Sequence, residues 1–469
     1  NKMLEAETLP GILKDGLITM VPKDSIHIGM AEHMRPIPLL HAFTKLTARI
    51  LSNRIITILD KFPDMLSTAQ RAYLRNGSIH QCLQTAISVF EDSLEAESDL
   101  YVASYDVRKA FDSVQAYSIR AACERLNMPE TFILYILKTM DGARSAVFTH
   151  DGPTEYFELM SGVRQGDPLS AILFILVIDP LHEGLSKNPL YQGANDGYHM
   201  SKGKRTSVEK KVFKKRRRQR ELTAKDRRRV NMSLRSTPKI ASAGFADDTM
   251  TSATGWEGMK RQHEWLLNFF IAHHWKLNGE KSVLVSANSR EEKESTTKYL
   301  PDIDWDKVVE SSPKTVRNKW IESKTYDRRN IGVRGCDTEF RYLGLYISLT
   351  MKWKKMLNKM NFFILSVTHK MAAHHLTLTQ AIETVREYIL PKMELGLTYV
   401  DITQAKINSW DRALRRSIMW TWNNYHVSAL NIDCLYFCTD LTTVHEMQML
   451  KRATQVMNAL RAEDSEAGN

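Results

Sequence analysis

Residues Ala243-Gly244-Phe245-Ala246-Asp247-Asp248-Thr249 hold two adjacent carboxylates between runs of small, aromatic and β-branched residues. Side chains alternate between the faces of a strand, so neighbouring acids within one strand point apart. A tight turn is what brings Asp247 toward a shared site and keeps Asp248 close to it. The runs on either side, around 240–245 and over Thr249–Thr251, carry strand signals, so the stretch predicts a hairpin with its acids at the tip. An isolated Asp-Asp pair is most often a solvated turn, and its weight comes from what surrounds it.

Upstream, the apolar run LYVASY (100–105) ends at Asp106 and continues as VRKAFDSV, with Asp112 six residues after Asp106. Three aspartates without a His or Cys cluster suit Mg²⁺, which takes a few carboxylates together with substrate phosphates. Two such ions about 3.5–4 Å apart would activate a hydroxyl and neutralise a departing pyrophosphate in an in-line displacement. Between the acids lies Ser161-Gly162-Val163-Arg164-Gln165-Gly166-Asp167-Pro168-Leu169-Ser170, followed by AILFILVIDPL. Two glycines, a proline and a serine ahead of an apolar helix make a loop with a capped helix start. Backbone groups and Gln165 can meet a nucleotide there, although from these residues alone a plain turn and N-cap is the favoured reading.

The chain has 469 residues, 43% hydrophobic and 25% charged, enough for two to four folded units with a sizeable core. Its net charge of +11 directs attention to polyanionic partners. The excess is local: residues 201–240 hold 17 Lys and Arg against Glu209, Glu221 and Asp226. That is +14, so removing it from +11 leaves −3 for the other 429 residues. This segment reads as a solvated basic insertion, and residues 287–338 read as a second insertion or long loop. The longest apolar run, Ala171–Ile178, is eight residues, against roughly 18–20 for a membrane span, so no membrane partner is expected. Five scattered cysteines suggest a reducing compartment. Cys434 and Cys438 with His445 offer a partial metal site, but no fourth ligand sits at ordinary spacing, and Leu435, Tyr436 and Phe437 read as core. The first residue is Asn rather than Met, so the chain reads as a piece of something longer.

Helical periodicity covers Phe43–Leu59, Ser78–Leu94, Tyr117–Leu126, Thr131–Met140, Ser170–Gly184 and Trp256–His274. Short strands are expected at Leu100–Tyr105, Ala146–Thr149, Tyr156–Leu159, Ser282–Ser286 and Phe340–Ile347. Their uneven mixture points to an α+β fold. From about 352 the pattern is helical to the end, with breaks at Leu390-Pro391 and Gly396.

DVRKAFDSV, SGVRQGDPLSAILFILVIDPL and AGFADDT resemble, in order, motifs A, B and C of reverse transcriptases of the non-LTR (LINE-type) retrotransposon group. MRPIPLL with KLTARILSNRI, and LSTAQRAYLRNGSIHQCLQT, are similar to its fingers segments. LNGEKS (277–282) is similar to motif D and FRYLGL (340–345) to the primer-grip motif E, while the helical tail resembles a thumb. The resemblance implies a right-hand polymerase: residues 1–100 mainly fingers, 101–350 mainly palm with both insertions, and 351–469 a helical thumb and tail. The insertions are departures from the family, in which motifs B and C lie close together.

Carried onto this sequence, the resemblance makes Asp106, Asp247 and Asp248 the metal-site aspartates, with Val107 adding a backbone carbonyl for two Mg²⁺ ions. Phe111 takes the place of an aromatic steric gate against a ribose 2′-hydroxyl. Gln165 would contact the incoming nucleotide and the template, and Lys23 with Arg35 would cover the triphosphate. Lys281 stands where a proton donor to pyrophosphate is expected, and Leu343 and Gly344 stand at the primer grip. The implied activity is RNA-templated DNA synthesis from a DNA primer and dNTPs. The alternative is an inactive or domesticated RNA-binding protein on the same scaffold. The basic segment suggests nonspecific nucleic-acid affinity, a nuclear-import signal or a surface insertion without a role, and the nucleus is the expected location, with assembly on RNA in the cytoplasm. Oligomeric state is not legible in these residues.

Overall fold

The computed structural model describes residues 9–22, 33–187, 196–200, 239–287, 299–304, 330–374, 376–421 and 441–467. Two compact units divide between Cys336 and Asp337. In the first, β1 (Gly16–Pro22) and β2 (Met34–Leu40) lead to α1 (Ala42–Lys61) and α2 (Ile79–Glu95). Next come β3 (Tyr101–Tyr105), β4 (Val107–Arg108), α3 (Ala116–Arg125) and α4 (Glu130–Met140). Strands β5 (Arg144–Thr149), β6 (Gly152–Pro153) and β7 (Phe157–Glu158) precede α5 (Pro168–Lys187). The hairpins β8 (Tyr198–His199) with β9 (Lys239–Ile240) and β10 (Ser242–Phe245) with β11 (Asp248–Ala253) are followed by α6 (Trp256–His273). Strands β12 (Lys276–Leu277), β13 (Val283–Ser286), β14 (Tyr299–Leu300) and β15 (Ile331–Gly335) complete the unit.

One sheet has the order β2-β1-β5-β6, with β7 also on β5. The β1–β2 ladder runs over seven pairs, from Gly16↔Leu40 to Pro22↔Met34. Periodicity gives no strand there, because Pro36 and Pro38 argue against one. Since β2 is an edge strand and the two prolines are two residues apart, both missing N–H groups fall on the unpaired side.

The larger sheet is six-stranded, β10-β11-β3-β13-β15-β14. Strand β3 lies inside it, antiparallel to β11 and to β13, and Val102 and Ala103 are fully buried. The stretch 287–338, expected as an insertion or long loop, contributes the strands β14 and β15 to this sheet. Its residues 288–298 and 305–329, and residues 201–238 of the basic insertion, lie outside the described residues. The foot of the basic insertion is the β8–β9 pair.

Helix α5 fills the core, with Phe174, Ile175, Leu176, Ile178 and Leu181 at 0% exposure. Residues 168–186 are long and apolar enough to cross a membrane, which the eight-residue apolar run understated, and 72% of that window is buried inside the unit. Asp179 pins the helix in place: its carboxylate accepts the Ser67 N–H at 2.7 Å and the Arg125 guanidinium at 2.7 Å.

The second unit opens with the hairpin β16 (Phe340–Tyr342) and β17 (Leu345–Ile347), followed by α7 (Lys354–Ala373), α8 (Leu378–Glu383), α9 (Leu390–Tyr399), α10 (Gln404–Thr421) and α11 (Val444–Ala467). The expected breaks at Leu390-Pro391 and Gly396 do not occur. A π-helical turn over Thr384–Ile389 joins α8 to α9, and Pro391 sits in the first turn of α9, where its missing N–H is tolerated. Gly396 lies under Met360, whose Sδ would be 2.4 Å from an added Cβ, so it marks a helix crossing.

Burial pushes the Asp179 carboxyl up, while the Ser67 N–H and Arg125 oppose that rise. Arg125→Ala leaves a buried carboxylate unpaired and should lower stability by roughly 2–3 kcal/mol at neutral pH. A raised carboxyl favours folding when protonated, so urea unfolding should show the deficit narrowing as the pH is lowered.

Candidate active site

Strands β10 and β11 pair from Ser242↔Thr251 to Phe245↔Asp248, leaving Ala246 and Asp247 as a two-residue turn. Ala246 has φ +57°, a left-handed conformation unfavourable for a residue with a Cβ. A buried carboxamide holds it there. Gln70 Oε1 accepts the Ala246 N–H at 3.0 Å and Gln70 Nε2 donates to the Ala246 carbonyl at 3.1 Å. The same Oε1 accepts the N–H groups of Arg71 at 3.1 Å and Ala72 at 3.0 Å. Two residues back, the Gly244 N–H donates to the Ala69 carbonyl at 2.8 Å and its carbonyl accepts from the Arg71 N–H at 3.0 Å. A Cβ at Gly244 would lie 2.4 Å from the His182 ring, so the strand passes that ring only as glycine. Burial pushes the His182 imidazole down to about 4, keeping it neutral beside Ser242.

The sheet brings the acids together. Thr249 of β11 pairs with Tyr105 of β3, so Asp248 and Asp106 each lie one residue beyond that pair. Asp106 is half-buried and Asp248 exposed. Asp106 Oδ2 accepts from Asn278 Nδ2 at 2.7 Å, its carbonyl accepts the Asn278 N–H at 2.9 Å, and its N–H donates to Ser282 Oγ at 3.1 Å. Val107 is buried and paired with Leu277. The Asp247 carboxyl is pushed above the ordinary range, first by burial and then by the negative charge of Asp106, while a backbone N–H opposes the rise. Two carboxylates thus share one field. Among the described residues no three His, Cys, Asp or Glu side chains are grouped as a metal site. The donors are nevertheless hard oxygens, and the pair Asp106 and Asp247 fits the one or two carboxylates that Mg²⁺ takes from a protein alongside phosphates.

Phe111 opens a 3₁₀ turn over Phe111–Ser113, and its ring stacks on Phe174. The loop before α5 docks on that turn: the Val163 N–H donates to the Phe111 carbonyl at 2.8 Å and the Gly162 N–H to Val114 at 2.8 Å. Gln165 Nε2 reaches Asp112 Oδ1 at 3.4 Å, so Gln165 joins the Phe111 turn. A Cβ at Gly166 would sit 3.5 Å from the Pro38 carbonyl, which brings β2 against this loop. Arg35 is exposed on β2. Lys281 is exposed, with its N–H on the Asn278 carbonyl at 3.2 Å. Leu343 and Gly344 form the turn of the β16–β17 hairpin in the second unit, at φ +47° and +90°. Lys23, Cys434 and Cys438 lie outside the described residues.

Sequence reasoning missed Gln70 and assigned no role to Asn278. A glutamine in a turn-rich stretch gives no sign of burial. Asn278 is legible only as a member of LNGEKS, whose return toward β3 is a tertiary fact.

Protonation of a raised carboxyl favours the folded chain, so the Asp247 charge opposes folding increasingly as pH rises through the raised value. Asp247→Asn should therefore melt above the parent at pH 7 without metal, by roughly 2 °C per kcal/mol relieved. The gap should close below the ordinary carboxylate range, and added Mg²⁺ should raise the melting temperature of the parent only. Gln70→Leu leaves the Ala246 N–H and carbonyl without their buried partner. Denaturant titration should show a loss of roughly 2 kcal/mol, together with a smaller Mg²⁺-induced rise in melting temperature.

The family described as reverse transcriptase (RNA-dependent DNA polymerase) matches residues 21–347. A Pol polyprotein from the type-1 retrotransposable element R2 of Popillia japonica is 26% identical over 403 residues, covering 85% of this chain and 46% of the relative. The chain thus spans about half the length of that relative. The Pol polyprotein of the type-2 element R2DM of Drosophila melanogaster is 28% identical over 181 residues, 39% of this chain and 17% of its own length. Among solved structures, apo telomerase from Candida Tropicalis aligns over 95% of this chain and 68% of its own, at 12% identity and a TM-score of 0.43. With the match running over residues 21–347 and taking in all three aspartates, the chain belongs to the reverse transcriptase (RNA-dependent DNA polymerase) family.

Proposed function

We propose that the chain is the polymerase part of an R2-like, non-LTR retrotransposon protein, extending a DNA primer on an RNA template with dNTPs. The observation that carries this is the convergence of Asp106 and Asp247 at one end of the six-stranded sheet, with the charge of Asp106 felt by Asp247. The family match and the R2 relatives support it.

Asp106, Asp247 and Asp248, with the Val107 carbonyl, would hold Mg²⁺. Bound there, two ions would supply an activated primer hydroxyl and neutralise charge on the leaving pyrophosphate. Asn278 and Ser282 fix the orientation of Asp106. Gln70 fixes the turn that carries Asp247. The Phe111 ring would exclude a 2′-hydroxyl and so favour deoxynucleotides. Gln165 would meet the nucleotide and template, Arg35 and Lys23 the triphosphate, and Leu343 and Gly344 the primer end. Lys281, in the turn held by Asn278, would give a proton to pyrophosphate. The run KKVFKKRRRQR within 201–240 supports nuclear import together with salt-sensitive nucleic-acid affinity.

Primer extension on an RNA template with Mg²⁺ and dNTPs tests the reading. The parent should give full product and Asp247→Asn should be slower by at least about 100-fold. A variant as fast as the parent, or a parent that binds RNA without extending the primer, would sink it.

A further inference from the structure

Phe111 does not stand alone. Its ring stacks on Phe174 at 4.4 Å between centroids and 14° between planes. Phe174 in turn stacks on Trp275 at 5.5 Å and 4°. The column is braced at its far end by Phe269, edge-on to Trp275 at 5.7 Å, and by Phe270, tilted at 5.9 Å. Phe174 and Trp275 are both at 0% exposure, whereas Phe111 is half-buried. The Phe111 ring is therefore stacked on a fully buried side chain that is itself packed against a second fully buried ring.

The three rings come from separate elements: Phe111 from the turn after Asp106, Phe174 from α5 and Trp275 from the segment after α6. The backbone at Phe111 is fixed independently by the Val163 N–H on its carbonyl, so the remaining freedom of this residue is rotation of its ring. Contact with Phe174 removes that freedom. A gate that excludes a single hydroxyl group has to be held to a fraction of an ångström, and an aromatic ring hinged at its Cβ has no such definition without a backstop.

We propose that Phe174, backed by Trp275, is a positioning residue for the Phe111 ring and thereby sets the preference for deoxyribose over ribose nucleotides. This rests on the polymerase reading above and on Phe111 meeting the sugar. Phe174 touches no substrate in this account and acts only through Phe111.

Single-nucleotide incorporation on one RNA template and primer, with matched dNTP and rNTP, reads the selectivity as a ratio of kcat/KM values. Phe111→Ala should raise ribonucleotide use strongly and gives the upper limit. Phe174→Leu and the closer-volume Phe174→Met should raise the rNTP/dNTP ratio about two- to tenfold, the range an aromatic pair corresponds to. Leu176→Ala, buried two positions along α5 and so on its other side, should keep the parent ratio although it opens a comparable cavity. If Phe111→Ala relaxes selectivity while both Phe174 variants, folded by thermal melting, keep the parent ratio, the proposal is overturned. It is equally overturned if Leu176→Ala shifts the ratio as far as they do. If Phe111→Ala keeps the parent ratio, the gate reading itself fails and the proposal with it. A parent that extends no primer instead defeats the polymerase reading.

Discussion

The side-chain amide of Gln70 closes a ring of hydrogen bonds around the backbone of Ala246, the residue that gives the acidic turn its left-handed bend. Much of the site depends on that contact. The turn fixes where Asp247 sits; the β10–β11 register that ends in the turn also sets β11 against β3, and hence Asp248 against Asp106. Alanine at φ +57° is disfavoured by about 1–2 kcal/mol relative to the right-handed region, and two good buried bonds are of the size needed to hold it. His182 and Cys82 complete the wall behind the same hairpin, each meeting Gly244. The hairpin is thus held by the segment 69–72 together with His182 of α5 and Cys82 of α2.

Much of the fold was legible because its signals are local. Helices from Phe43 to His274 carry apolar residues at helical spacing, and the described helices begin and end within a few residues of those expectations. The α+β reading and the acidic hairpin rest on turn chemistry, which is also local. What escaped was tertiary. Strand β2 contains Pro36 and Pro38 and becomes a strand only because its outer edge is unpaired. Strands β14 and β15 sit in a polar stretch and are recognisable only once β13 is there to pair with β15. Pro391 reads as a helix breaker until a π-helical turn precedes it. In the site, the three aspartates were visible as residue types at strand ends, but Gln70 and Asn278 work through burial and long-range bonds that no spacing encodes.

The charge distribution fits the chemistry. Outside the basic segment the chain sums to −3, and the Asp247 carboxyl is raised first by burial and then by the negative charge of Asp106. A divalent ion placed between such carboxylates would convert repulsion into attraction. The buried pair Asp179 and Arg125 is the contrasting case, in which the protein supplies the countercharge itself and uses it to anchor α5.

The β8–β9 hairpin has a broader meaning. Tyr198 is buried, bonded to Asp92 at 2.6 Å and Ser98 at 2.8 Å, and Asp196 is held by Arg261. Both ends of the basic segment therefore leave the unit side by side, at Tyr198↔Ile240 and His199↔Lys239. For a loop closed at its base, doubling the length adds only about 0.6 kcal/mol. The β8–β9 pair thus closes the base of whatever lies between its strands, so a change in the length of that segment falls on chain outside the sheet and leaves the register of β10 and β11 as it is.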